Sequence, residues 1–444
     1  MKHTKKYTLV LVFVAFLITF TGPVKAGNPF RNVTTTAGGY STWDSDMINI
    51  EAISETGAGV YIAVLDTGLA PNWKDYFPED RIATELGMGF YEELKWNPKI
   101  NDFEETNGEV HTTTFIGSVG TTHGTHVTST IIGYFYDANA DTAGGFDLPP
   151  IIVRGIAPDV EIIPVKVLAD YEMPYDPETG QTGVKVTFGT SNMVAAGINY
   201  VTDLAIADPE HRYIISMSLG GSELEPVEKT AIDRAVENDV IVVAAAGNEG
   251  DEGMSYPGAY APVISVGASG WVNEWLVPGD GPFYRLWWLQ SDLLPYDDIP
   301  EPTPRSDVYI PDWSSRELDG QELDVIAPGS WVRGPYPGFP GYSHLPWWSS
   351  GIGDLAGWNP GNFYYVGGTS MATPHVSAVA ALMLEANPSL SQANIEAILK
   401  KTAIRIQAGS AVVFFVGPQS WDRDAVGSGL IQADAAVNAA TKSK

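Results

Sequence analysis

Three reactive side chains stand at the ends of apolar stretches. Asp66 closes VYIAVLDTG (60–68), His123 opens HGTHV (123–127), and Ser370 lies in GGTSMATPHVSAVAALML (367–384). An aspartate at the carboxyl end of a buried strand sits where open α/β sheets collect ligands and catalytic groups. A histidine is the side chain best suited to proton transfer near neutral pH. A serine on a tight turn opening a helix presents its hydroxyl near the positive end of the helix dipole, as a nucleophile needs. Each has a plainer reading alone: a turn-forming Asp, a structural His, an N-cap Ser. Together, in the order Asp, His, Ser, they match one chain order of a nucleophile–base–orienter triad. His126 and His123 could share a helix face, but the glutamate of the zinc-protease pattern is missing.

The elements that must position these groups alternate between strand and helix. VYIAVLDTG, EIIPVKVLA (161–169), YIISMSLGG (213–221), VIVVAAAGNEG (240–250), PVISVGAS (262–269) and LDVIAPG (323–329) read as strands. Helical patterns occupy 122–135, 190–206, 228–237, 369–386 and 391–402. Continuous apolar strands separated by helices predict a doubly wound α/β fold, a mostly parallel sheet with helices on both faces. Between 270 and 360 the composition changes: nine of the 13 Trp fall there among many prolines. Proline at this density excludes central strands and helices. Two surface insertions, at about 270–310 and 330–362, are expected, either as stabilising cover, the preferred reading, or as a rim to a cleft.

Among 444 residues there are 54 acidic and 25 basic side chains and no cysteine, a net charge of −29. The first 26 residues hold four lysines and no acid, so the remainder carries −33. Such a surface repels phosphate and anionic lipid, which excludes nucleic-acid and peripheral membrane binding. The missing cysteines exclude disulfides, thiol catalysis and cysteine-ligated metal. Residues 1–26 combine a basic start, the apolar run Leu9–Phe20 and a small-residue end at Ala26, the pattern of a secretory signal. A membrane anchor is the alternative, but the run falls short of the ~20 residues that span a bilayer. The expected divisions are a signal at 1–26, an N-terminal segment at 27–55 and a catalytic domain at 56–444. The mature protein is expected outside the cell as a soluble monomer.

Nine segments in order carry a resemblance: VYIAVLDTG, HGTHV, GIAPDVEIIPVKVL, ISMSLGG, VVAAAGNEG, YPGAYAPVISVGA, LDVIAPG, GTSMATPHVSA and GSGLIQADAAV. From about Thr56 to Ala440 the chain resembles the subtilisin-like serine proteases, or subtilases. The resemblance implies a serine endopeptidase acting on proteins and peptides through an acyl-enzyme. Ser370 would be the nucleophile, His123 the general base and Asp66 its orienting partner. Asn248 would be the oxyanion-hole donor. Ser218, Leu219 and Gly220 match the strand that pairs with substrate main chain, which implies broad specificity. Ala245, Ala246 and Gly247 match a wall of the primary specificity pocket, with Ser255 at its floor. That pocket implies a preference for large apolar or aromatic residues before the cleaved bond, although Glu249 at its mouth also admits Lys or Arg. His126 and His375 are expected to be structural.

Two departures stand out. Most secreted subtilases carry a prodomain, yet only 33 residues, 27–59, separate the expected cleavage site from the first strand. Fewer than ~40 residues rarely fold unaided. Folding is therefore expected either without a prodomain or with one supplied separately. In YDANADTAGGFD (136–147), Asp137, Asn139 and Asp141 alternate before two glycines, a spacing suited to a structural Ca2+. A polar turn accounts for the same residues equally well, and Leu148 replaces the closing glutamate of an EF-hand. Two rivals remain: a non-catalytic binding protein on the same scaffold, disfavoured because the triad and oxyanion donor are complete, and a sedolisin-like acid protease, disfavoured by His123 and Asn248.

Overall fold

The structure is a computed structural model and describes residues 30–118, 122–136, 150–175, 182–275, 299–337, 362–414 and 416–443. Its centre is a nine-stranded sheet. The strands are β1 (Val60–Asp66), β2 (Met88–Asn97), β3 (Asp102–Thr113), β6 (Glu161–Lys166), β9 (Arg212–Met217), β10 (Ile241–Ala245), β11 (Ile264–Trp271), β12 (Val308–Tyr309) and β13 (Val325–Pro328). Four two-stranded sheets complete the set: β4 (Gly133–Tyr136) with β5 (Ile151–Arg154), β7 (Ala169–Tyr175) with β8 (Thr182–Phe188), β14 (Val332–Pro335) with β15 (Phe363–Val366), and β16 (Gly409–Val413) with β17 (Gly417–Trp421). The helices are α1 (Trp43–Asp46), α2 (His123–Ile132), α3 (Ser191–Ala207), α4 (Pro226–Glu237), α5 (Thr369–Ala386), α6 (Gln392–Thr402) and α7 (Ala433–Lys442).

The sheet runs β12-β11-β10-β9-β1-β6-β2-β3, with β13 also on β11. The pairs from β13 through β2 are parallel, and only β3 and β12 add antiparallel edges. After β1 the chain builds β6 on one side and later β9 on the other. The order therefore reverses at β1, and such a switch point opens a crevice at the strand's carboxyl end. Asp66 is the last residue of β1.

The pleat of β1 divides the core between the two faces. Val60, Ile62 and Val64 join a cluster with α2 and α5, whereas Ala63 and Leu65 join one with α3 and α4. A strand buried on both sides must be apolar at every position, which is why it reads as an unbroken run. Local chemistry fixes the helix starts: Thr190 Oγ1 accepts from Met193 N–H, Pro226 opens α4, and Ser391 caps α6.

The sequence did not signal β2–β3, a long hairpin bulged between Glu92 and Leu94, because its outer half is polar and solvent-facing. Its edge strand β3 carries exposed glutamates at 104, 105 and 109, which discourage pairing with another chain. In the Trp-rich stretch, Trp271, Trp275 and Trp331 are buried and Trp313 packs against the core. Trp287, Trp288, Trp347, Trp348 and Trp358 lie outside the described residues.

Candidate active site

Asp66 is delivered by β1 and His123 is the first residue of α2, with His123 Nδ1–H donating to both Asp66 carboxylate oxygens at 2.9 Å. Asp66 is buried, while 18% of the His123 side chain is exposed. The approach requires glycine at 124: a Cβ there would lie 2.6 Å from the Gly68 carbonyl and 3.1 Å from Asp66 Oδ1. Gly124 N–H donates to Thr67 Oγ1 at 3.0 Å, which ties the helix start to the end of β1. Burial alone lowers the pKa of His123, but the Asp66 charge and hydrogen bond prevail and raise it above its ordinary value of 6.5.

Ser370 is the second residue of α5, and Gly368 is the N-cap, so the serine is not a capping residue. Its hydroxyl donates to the Ser218 carbonyl at 3.2 Å, and the Ser218 hydroxyl donates to the Ser370 carbonyl at 2.7 Å. Among the described hydrogen bonds none joins His123 to Ser370. In ligand-free sites such bonds are often long and tighten with substrate.

Asn248 follows β10. Its Oδ1 accepts from Thr369 N–H at 2.9 Å and Thr369 Oγ1 at 3.1 Å. Since an N–H must point at oxygen, this contact fixes the amide orientation, and Nδ2 is the outward donor. Thr369 carries no obvious chemistry in sequence, yet, as the residue before Ser370, it ties Asn248 to the turn that carries the serine.

The expected pocket residues also converge. Ser255 N–H donates to the Ala246 carbonyl at 2.8 Å, and Gly221 and Tyr256 form an antiparallel bridge. A Cβ on Gly220 would meet Ser255 Cβ at 2.7 Å. Gly247, with φ of +107°, leaves room for a carboxylate: a Cβ there would lie 2.3 Å from Glu249 Oε2. That oxygen accepts from Asn248 N–H at 2.7 Å, Ser255 Oγ at 3.0 Å and Ser315 Oγ at 3.0 Å. Sequence reasoning missed Ser315, which comes from a distant loop without a motif. Leu219 and Ala245 adjoin these residues on the same two segments.

The other two histidines are packed into the structure. His126 Nε2–H donates to the Val332 carbonyl at 3.1 Å, and burial first, then the neighbouring His123, lowers its pKa to about 3. His375 is fully buried between the Met371 carbonyl and Asp44. Asp137, Asn139 and Asp141, the expected calcium ligands, lie outside the described residues. Glu322, Asp324 and Glu396 bring carboxylate oxygens within 4.8 Å of one another. The Lys400 ammonium bonds all three, so a cation of the protein's own already compensates them.

Residues 57–435 match the model of the subtilase family. The chain belongs to the subtilase family, a family of serine endopeptidases. It is 27% identical over 382 residues to subtilisin Savinase of Lederbergia lenta, covering 86% of this chain and 92% of that protein. It is likewise 27% identical to an alkaline protease of Alkalihalobacillus alcalophilus, of which it spans 65%. Among solved structures, a psychrophilic protease, S41, aligns over 89% of this chain and 99% of its own with a TM-score of 0.54 at 23% identity. Sphericase aligns over 89% and 99% with a TM-score of 0.51 at 24% identity. These two show the fold.

Proposed function

We propose that this subtilase is a secreted endopeptidase that hydrolyses protein and peptide substrates through a Ser370–His123–Asp66 triad and an acyl-enzyme. The observation that carries the reading is the hydrogen bond that His123 Nδ1–H donates to both carboxylate oxygens of Asp66. It fixes the tautomer that leaves Nε2 as the base for the Ser370 proton and steadies the imidazolium that follows. Asn248 Nδ2 and the Ser370 backbone N–H would hold the oxyanion. Backbone pairing with Ser218–Gly220 reads little side-chain identity, which supports broad specificity. Residues 1–26 serve as the export signal, and residues 56–444 form one catalytic domain that acts as a monomer. Structural Ca2+ is part of the proposal, with Asp137, Asn139 and Asp141 as its candidate ligands.

The test is hydrolysis of casein together with labelling by a fluorophosphonate. Wild type should do both and Ser370→Ala neither. An alanine variant that keeps its activity or its label would refute the nucleophile assignment.

The pocket supports two preferences before the cleaved bond. Small residues at 245–247 favour large apolar side chains. The Glu249 carboxylate beside Ser255 favours Lys or Arg, because a charge in a partly desolvated pocket discriminates strongly. Peptide nitroanilides ending in Phe or Lys decide between them. If Glu249 sets the preference, Glu249→Gln should lower kcat/KM for Lys about tenfold and leave Phe within twofold. An unchanged Lys-to-Phe ratio assigns the pocket to apolar residues.

A further inference from the structure

The turn that carries Ser370 is not held by helical backbone bonds alone. Pro374 has no N–H, so the Ser370 carbonyl loses its donor four residues on. The Ser218 hydroxyl takes that place at 2.7 Å. On the carbonyls to either side, Thr373 Oγ1 donates to Thr369 O at 2.9 Å, and His375 Nδ1–H donates to Met371 O at 2.8 Å. Three successive carbonyls, centred on the candidate nucleophile, are thus set by side chains.

One of these side chains is anchored outside the helix. His375 Nε2 lies 3.0 Å from Asp44 Oδ2, and both side chains are buried, at 0% and 5% exposure. Both ring nitrogens face oxygens, Nδ1 the Met371 carbonyl and Nε2 the Asp44 carboxyl group. A buried imidazole bridging a carbonyl and a carboxylate has one ring orientation and almost no freedom. Asp44 is itself fixed in α1, whose Thr42 and Ser45 close a capping box. The chain around α1 is fastened elsewhere too: Thr303 Oγ1 donates to Met47 O at 2.7 Å, and Asn49 Nδ2 to Gln432 Oε1 at 2.7 Å.

We propose that Asp44, acting through His375, is a positioning residue for the turn that carries Ser370. The N-terminal segment would then be part of the catalytic apparatus as well as of the core. This inference rests on Ser370 being the nucleophile, and adds to that reading a residue 326 positions away in the chain.

The experiment compares the wild-type protein with Asp44→Asn and Asp44→Ala. Active sites are titrated with a fluorophosphonate, and kcat, KM and the labelling rate are expressed per titrated site. A purely structural role would lower the number of competent molecules but not the turnover of each. Positioning predicts that Asp44→Ala loses at least tenfold in kcat per titrated site and in labelling rate, with KM within threefold. Asp44→Asn keeps the shape and one hydrogen bond, and should lose about threefold. If Asp44→Ala does not fold, Asp44→Asn decides alone. Wild-type turnover per titrated site in Asp44→Asn, or in a folded Asp44→Ala, overturns the proposal. A wild-type protein that fails to label would instead overturn the nucleophile reading.

Discussion

At the scale of single residues, the pair Asp66–His123 has a consequence for pH. General-base catalysis needs His123 neutral, and the Asp66 carboxylate raises its pKa above 6.5. The sign follows: kcat/KM should fall as pH drops, with the acid limb centred above 6.5. A pH profile on a nitroanilide peptide checks this, and high activity near pH 4 would refute a histidine base. Asp66→Asn should both abolish most turnover and move that limb to lower pH, because the raising charge is gone. His126, only three residues on, should contribute nothing to the profile, because burial and the neighbouring His123 lower its pKa to about 3.

At the scale of elements, the helices on the far face from the candidate site carry a testable strain. Glu228, in the first turn of α4, is buried, and desolvation raises its pKa to about 7, offset in part by Ser191 at the start of α3. Below about pH 4.5 the carboxyl is protonated in both folded and unfolded states and costs nothing. Between 4.5 and 7 the unfolded chain ionises first, so stability falls as pH rises. Above 7 the cost levels off at on the order of 3 kcal/mol. Glu228→Gln should therefore raise Tm by a few degrees at pH 8 and leave it unchanged at pH 4, measured by thermal unfolding. A variant with equal Tm at both values would show that Glu228 is well solvated.

How far these elements were legible depends on their surroundings. The parallel strands are buried on both faces, so VYIAVLD and VIVVAAA announce themselves as apolar runs. The hairpin β2–β3 is half polar, and an exposed edge imposes no such pattern. At the site, Asp66, His123, Asn248 and Ser370 were readable because each belongs to a motif whose neighbours are needed for the local turn, as Gly124 illustrates. Ser315 and Asp44 were not, since their importance arises only when distant loops meet: Ser315 at Glu249, Asp44 at His375.

At the scale of the whole molecule, an acidic chain without disulfides must hold together by packing and by compensating charge. Lys400 among Glu322, Asp324 and Glu396 shows one way. The proposed Ca2+ would be another, in which case EDTA should lower Tm and added calcium restore it. Equal midpoints with chelator and with excess calcium would remove calcium from the proposal.

The N-terminal segment closes against the far end of the chain. Asn49 bonds Gln432, Ile48 accepts from Ala433, and Glu385 receives the N–H groups of Thr56 and Gly57 at 2.7 and 2.6 Å. These contacts have very high sequence separation, and such separation slows folding. While the polypeptide is being made, the contacts of Asn49 and Ile48 cannot close until Gln432 and Ala433 have left the ribosome. For the exported protease proposed above, such a delay would keep the chain open for translocation and leave the Asp66–His123–Ser370 centre unassembled until synthesis is over.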